Sequence, residues 1–122
     1  MAVPKKILIC DDSVAQVKLM QAVLDRAGYS TAAIHDPCRV EQTIDVERPC
    51  LILLDVVMPE RNGFQVCRDL KAHNEYRLIP VILVTSKDGE SDKFWAQQQG
   101  ADGYVVKPFT PDQLLNEVKR FA

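Results

Sequence analysis

The chain has no long apolar run, no basic surplus, no paired-cysteine motif and no low-complexity stretch, and each absence closes off a class of function. Its formal net charge is -2, which gives no electrostatic footing for nucleic acid, and no basic run marks a membrane surface. The apolar stretch after Met1-Ala2-Val3-Pro4-Lys5-Lys6 stops at Asp11, too short for a signal-peptide core or a bilayer span. A cytoplasmic location without membrane insertion is therefore expected. The cysteines Cys10, Cys38, Cys50 and Cys67 show neither C-x-x-C nor any zinc-ligand spacing. Reduced, structural thiols are expected, with Cys10 and Cys50 inside buried strands. His35 and His73 stand apart from any partner and read as incidental. No linker or repeat divides the 122 residues, so 1–122 is expected to be a single domain with no effector domain.

What is present is an alternation. The 47% hydrophobic content is concentrated in strand-length apolar runs separated by segments of helical period, the pattern of βα repeats on a parallel sheet. Strands are expected at Lys6–Cys10, Ser30–Ile34, Cys50–Asp55, Ile79–Thr85 and Tyr104–Lys107. Helices are expected over Val14–Ala27, Cys38–Glu47, from Asn62 to about His73, over Asp88–Gln99, and from Thr110 onward. Ser13 with Gln16, Asn62 with Gln65, and Thr110-Pro111 with Gln113 supply start signals, and Gly28 and Gly100 supply stops. Val17, Met20, Leu24 and Ala27 form the apolar face of the first helix, and Leu114, Leu115, Val118 and Phe121 that of the last. The third strand is the most apolar and is expected at the centre, covered on both faces.

The chemistry sits at the strand ends. Asp11 and Asp12 close Ile7-Leu8-Ile9-Cys10, Asp55 closes Leu51-Ile52-Leu53-Leu54, Thr85 closes Val81–Val84, and Lys107 closes Tyr104–Val106. Carboxyl ends of parallel strands open onto the crevice where such sheets bind ligands. Three carboxylates there repel one another and need a cation or a proton to coexist. A hard divalent ion with oxygen ligands answers that need. Taken singly, a lysine after a strand is a solvated charge and a threonine in a strand is a β-former; their joint occurrence with the aspartates is what carries weight.

In the order Asp11-Asp12-Ser13, Asp55-Val56-Val57-Met58-Pro59 with Gly63, Val84-Thr85-Ser86, and Tyr104-Val105-Val106-Lys107-Pro108-Phe109, the chain resembles the receiver domains of two-component response regulators. The run Ser91–Trp95 before Gln99-Gly100-Ala101-Asp102 is similar to stand-alone, chemotaxis-like regulators of type IV pilus (twitching) motility. The resemblance implies a flavodoxin-like (βα)5 fold, a doubly wound parallel sheet of order 2-1-3-4-5 with helices on both faces. It implies that Asp55 accepts a phosphoryl group from a partner histidine kinase. Asp12, Asp55 and the Val57 backbone carbonyl would hold Mg²⁺, with Asp11 acting through bound water. Lys107, before a cis Pro108, and Thr85 would contact the phosphoryl oxygens, and Ser86 would leave the site open. Thr85 and Tyr104 would form the switch, and a downstream target protein would bind the fourth helix, fifth strand and fifth helix.

The resemblance further implies that Val57 and Lys87 would flank the path of the attacking water; an apolar Val57 is expected to slow self-dephosphorylation, and Lys87 would either attract phosphate or block approach. Core packing favours Trp95 as a partly buried anchor, the resemblance would put it on the target surface, and the sequence does not separate the two. The expected function is a binding switch rather than an enzyme. A phosphate sink for a shared kinase competes with it. An aspartate-nucleophile phosphohydrolase would want a second acid where Val57 stands. A flavodoxin-like flavin carrier would want a hydroxyl-rich phosphate loop where Asp11-Asp12 stands.

Overall fold

The computed structural model describes residues 5–122; the segment Met1–Pro4, read above as part of a start too short for a leader, lies outside the described residues. Five parallel strands, β1 (Lys6–Cys10), β2 (Ser30–Ile34), β3 (Leu51–Leu54), β4 (Val81–Thr85) and β5 (Gly103–Val106), form one sheet of order 2-1-3-4-5. β3 pairs on both sides, Ile7 opposite Leu51 and Ile52 opposite Val81, and all four of its residues are buried. Strand order reverses direction between β1 and β3, which opens a crevice at their carboxyl ends.

Alternation along each strand splits the core in two. Leu8, Cys10, Ile52, Leu54, Val81 and Leu83 pack against α2 (Val40–Glu47) and α3 (Gly63–Lys71), with Ala96 of α4 (Glu90–Gln98). Ile7, Ile9, Leu51, Leu53, Ile82 and Val84 face α1 (Val14–Arg26) and α5 (Pro111–Phe121). These strands are buried on both faces, which is why they read as continuous apolar runs. No helix among the described residues is long and apolar enough to cross a membrane.

The expected helix starts hold at three places. Ser13 accepts from the Gln16 N–H, and Asn62–Gln65 and Thr110–Gln113 form reciprocal capping boxes. Elsewhere boundaries shift for local reasons. β4 begins at Val81 because Pro80 has no N–H to give the ladder, although its carbonyl accepts from Ile52. The second helix opens with a 3₁₀ turn, Pro37–Arg39, capped by Asp36, before α2 proper. α4 starts at Glu90 rather than Asp88, and the Gly89 N–H donates to Asp92. Val23, not Ala27, completes the buried face of α1, since Ala27 is already its exposed C-cap. In α5 only Leu114 and Val118 are fully buried. Cys50 lies half-buried just before β3, and Trp95, which core packing favours as an anchor, is 51% exposed beside Phe94 at 61%. All four cysteines are free. Burial pushes the Cys10 and Cys67 thiols up to about 12, so both stay protonated and unreactive.

Candidate functional site

Asp11 and Asp12 leave the end of β1, Asp55 that of β3, Thr85 that of β4 and Lys107 that of β5. Parallel pairing in register carries these ends to one edge. One carboxylate oxygen each from Asp11, Asp12 and Asp55 lies within 4.8 Å of the others. Asp11 and Thr85 are the polar residues buried most deeply among those described, at 1% and 0% exposure. Such burial of polar groups in a β-sheet core is costly unless they are paired.

Both oxygens of Asp11 are engaged. Oδ1 accepts from the Ser13 N–H at 2.9 Å, and Oδ2 accepts from Lys107 Nζ at 2.6 Å. Asp55 Oδ1 accepts from the Val56 N–H at 2.8 Å, while its Oδ2 stands 3.9 Å from Lys107 Nζ. Burial raises the Asp55 carboxyl above its ordinary range; Lys107 pulls it down, and the neighbouring Asp11 pushes it up again. One ammonium thus faces Asp11 and Asp55, and Asp12 completes the cluster of three carboxylates. The surplus of negative oxygen is a hard, all-oxygen donor set, which fits a Mg²⁺-type ion and not a zinc centre.

The structure brings the other expected residues to the rim. Ser86, Lys87 and Val57 are exposed, Val57 at 56%. The Tyr104 hydroxyl donates to the Lys87 carbonyl, tying β5 to the β4–α4 loop. Burial, with Asp92 and Asp88 adding to it, raises that hydroxyl to about 12, so it remains a donor. The Lys107–Pro108 bond is cis.

Of two further neighbours, His35 reads in the sequence as incidental and without a partner, and Arg61 goes unread there. His35 ends β2, and its Nδ1 lies 3.0 Å from the Asp11 carbonyl oxygen. The polar ends of β1, β3, β4 and β5 are legible in the sequence, and the residue after β2 is the matching signal. Arg61, in the loop after β3, holds Glu41 and Asp69 at 2.7 and 3.0 Å, contacts no spacing rule reveals.

The response regulator receiver domain pattern matches residues 7–119. Protein PilH of Pseudomonas aeruginosa is 38% identical over 93% of this chain and 93% of its own length. The alkaline phosphatase synthesis transcriptional regulatory protein PhoP of Bacillus subtilis is 37% identical over 94% of the chain, which spans about half of PhoP, 47%. Among solved structures, chemotaxis protein CheY4 of Vibrio cholerae superposes with a TM-score of 0.91 at 28% identity, covering 98% of this chain and 100% of that one. The carboxylate-lined crevice, the sheet order and these matches agree, and the chain belongs to the response regulator receiver domain family of two-component signalling.

Proposed function

We propose that this chain is a phosphorylation-dependent switch in which Asp55 accepts a phosphoryl group from a histidine kinase and the modified form regulates a partner protein by binding. The observation that carries the reading is the cluster of three carboxylates at the strand-order reversal, two of them, Asp11 and Asp55, set against the Lys107 ammonium.

The Asp55 carboxylate oxygen attacks phosphorus as the phosphorus–nitrogen bond of a phosphohistidine breaks, and the imidazole leaves with the bonding electrons. Transfer of this kind is mostly positioning and charge neutralisation, so few groups are needed. Asp12, Asp55 and the Val57 carbonyl would hold Mg²⁺, and the bound ion supplies positive charge against the phosphoryl oxygens. Asp11, with both oxygens already engaged, suits contact through water. Lys107, within 3.9 Å of Asp55, is placed to exchange its bond to Asp11 for one to a phosphoryl oxygen.

The buried Thr85 hydroxyl accepts weakly from the Lys87 N–H at 3.4 Å and is available as a donor. Its movement toward a phosphoryl oxygen would disturb the loop whose Lys87 carbonyl holds Tyr104. That linkage supports Thr85 and Tyr104 as the switch, read by a target on α4, β5 and α5, where Phe94 and Trp95 stand exposed. Tyr104→Ala should leave phosphorylation intact and change target affinity severalfold; equal affinities would exclude the switch role. Val57 offers no polar atom from its side chain to the site, in keeping with a slow loss of the phosphoryl group. Likeness to PilH over nearly the whole chain supports a place in pilus-based motility.

Intact-protein mass after incubation with Mg²⁺ and acetyl phosphate tests the core of the proposal. One phosphoryl adduct is expected, absent without Mg²⁺ and absent in Asp55→Ala. An adduct that persists in Asp55→Ala would overturn it.

A further inference from the structure

Val57 is the member of the proposed metal set that contributes through its backbone, yet its side chain is 56% exposed and does little to fix its position. The loop must be held from either side. On one flank Met58 is buried, with the Cys10 thiol 3.7 Å from its sulfur. Beyond it the chain turns sharply: Glu60 has φ +68, a left-handed conformation unusual for a residue with a Cβ, and the Arg61 N–H donates to the Pro59 carbonyl at 2.7 Å. At the far end Gly63 lies so close to Asp55 that a Cβ would collide with the Asp55 carbonyl oxygen.

The turn between these anchors is fastened by one side chain. The Arg61 guanidinium donates to both oxygens of Glu41, at 2.8 and 2.7 Å, to the Pro37 carbonyl at 3.0 Å, and to Asp69 at 3.0 Å. It thereby joins the β3–α3 loop to the 3₁₀ turn, to α2 and to α3. The side chain is 16% exposed, and a two-pronged arginine–carboxylate pair is directional in a way a lysine pair is not.

We infer that Arg61 is a positioning residue for the metal half of the site, clamping the β3–α3 loop so that the Val57 carbonyl and Asp55 stand ready for a hard cation. This rests on the receiver reading above. Arg61 touches none of the reacting atoms; it acts through the loop, as the outer hydrogen bonds of metal sites act through their ligands. The charge on Arg61 alone is insufficient, because the fork must span Glu41 and the Pro37 carbonyl together.

The test is Mg²⁺ titration by calorimetry of the unphosphorylated chain, with melting temperature measured on the same samples without Mg²⁺. Arg61→Met should weaken Mg²⁺ binding roughly tenfold, the lower end of the loss seen for outer-sphere partners. Arg61→Lys should recover only part of it. Glu41→Gln, which leaves the loop's own residues untouched, should weaken binding in the same direction by less. Lys6→Met, which breaks the 3.1 Å pair with Glu47 at the other edge of the sheet, should leave binding unchanged. Lower melting temperatures in Arg61→Met and Glu41→Gln with parental Mg²⁺ affinity would reduce Arg61 to a structural tie and overturn the inference. A parent that binds no Mg²⁺, or binds it equally after Asp12→Ala, would instead remove the receiver reading and the inference with it.

Discussion

At the amino-terminal edge of the sheet Lys71 and Asp102 form an ion pair of 2.8 Å; at the carboxyl-terminal edge Lys107 and Asp11 form one of 2.6 Å. The bonds are alike, and the surroundings differ. Lys71 spends its three ammonium hydrogens on the Arg77 carbonyl, the Ile79 carbonyl and Asp102, and Asp102 also accepts from the Val81 N–H at 2.8 Å. Charge there balances and stitches α3, β4 and β5 together. At the opposite edge Asp11, Asp12 and Asp55 cluster with Lys107 against only the first and the last, leaving a surplus of two negative charges, three minus one. The edge proposed as the site is therefore set apart by unbalanced charge held in place, not by the presence of ion pairs. Such an arrangement costs stability that a fully paired edge keeps.

Substitutions that treat the two edges alike should give opposite results. The largest effect is expected from Lys71→Met, which takes the lysine donor from the exposed Asp102 and from the Arg77 and Ile79 carbonyls. Stability should fall by about 1.5 kcal/mol in urea unfolding, the upper end of the net worth of an ordinary hydrogen bond, with Mg²⁺ affinity unchanged. At the other edge, Asp12→Asn should raise stability without Mg²⁺ by roughly 1 kcal/mol, the scale of two unit charges about 4 Å apart in a water-like medium. Mg²⁺ in tenfold excess over its dissociation constant should stabilise the parent by about 1.4 kcal/mol and leave Asp12→Asn nearly unmoved. A loss of stability in Asp12→Asn would break the comparison.

The smallest effect concerns pH at the balanced edge. The Tyr76 hydroxyl donates to Asp45 at 2.7 Å, and that bond, followed by burial, raises its pKa from 10.0 to about 12. A folded-state value above the unfolded one means a contribution present in full below pH 10 and lost as pH rises through 12. The parent should therefore lose stability across that window more steeply than Tyr76→Phe. Tyr104 titrates in the same range in both proteins and cancels in the difference. Equal slopes would show that the Asp45 bond does not distinguish the folded state.

Legibility followed the range of the interactions. Ser13, Asn62 and Thr110 announce their helices because a cap is made within three residues, and Gly28 and Gly100 announce left-handed stops at φ 91 and 90. β1, β3 and β4 were legible because burial on both faces leaves an unbroken apolar run. The aspartates were legible because each sits directly after such a run, so its place at the edge needs no knowledge of the partner strand. Trp95 stayed open between anchor and target contact because a large apolar ring predicts burial only on average. On α4 it is Ala96 that faces the sheet, and the tryptophan is left outside.

The residues themselves thus determined the βα alternation, the helix starts and the five polar groups at the ends of four strands, since these depend on local pattern and on period. The tertiary structure decided which of those groups meet. It paired Lys107 with Asp11 across 96 positions of sequence, set His35 against the Asp11 carbonyl, and fastened Arg61 to Glu41 and Asp69. The physical reason is that strand order and helix packing bring together side chains whose separation along the chain leaves no periodic trace.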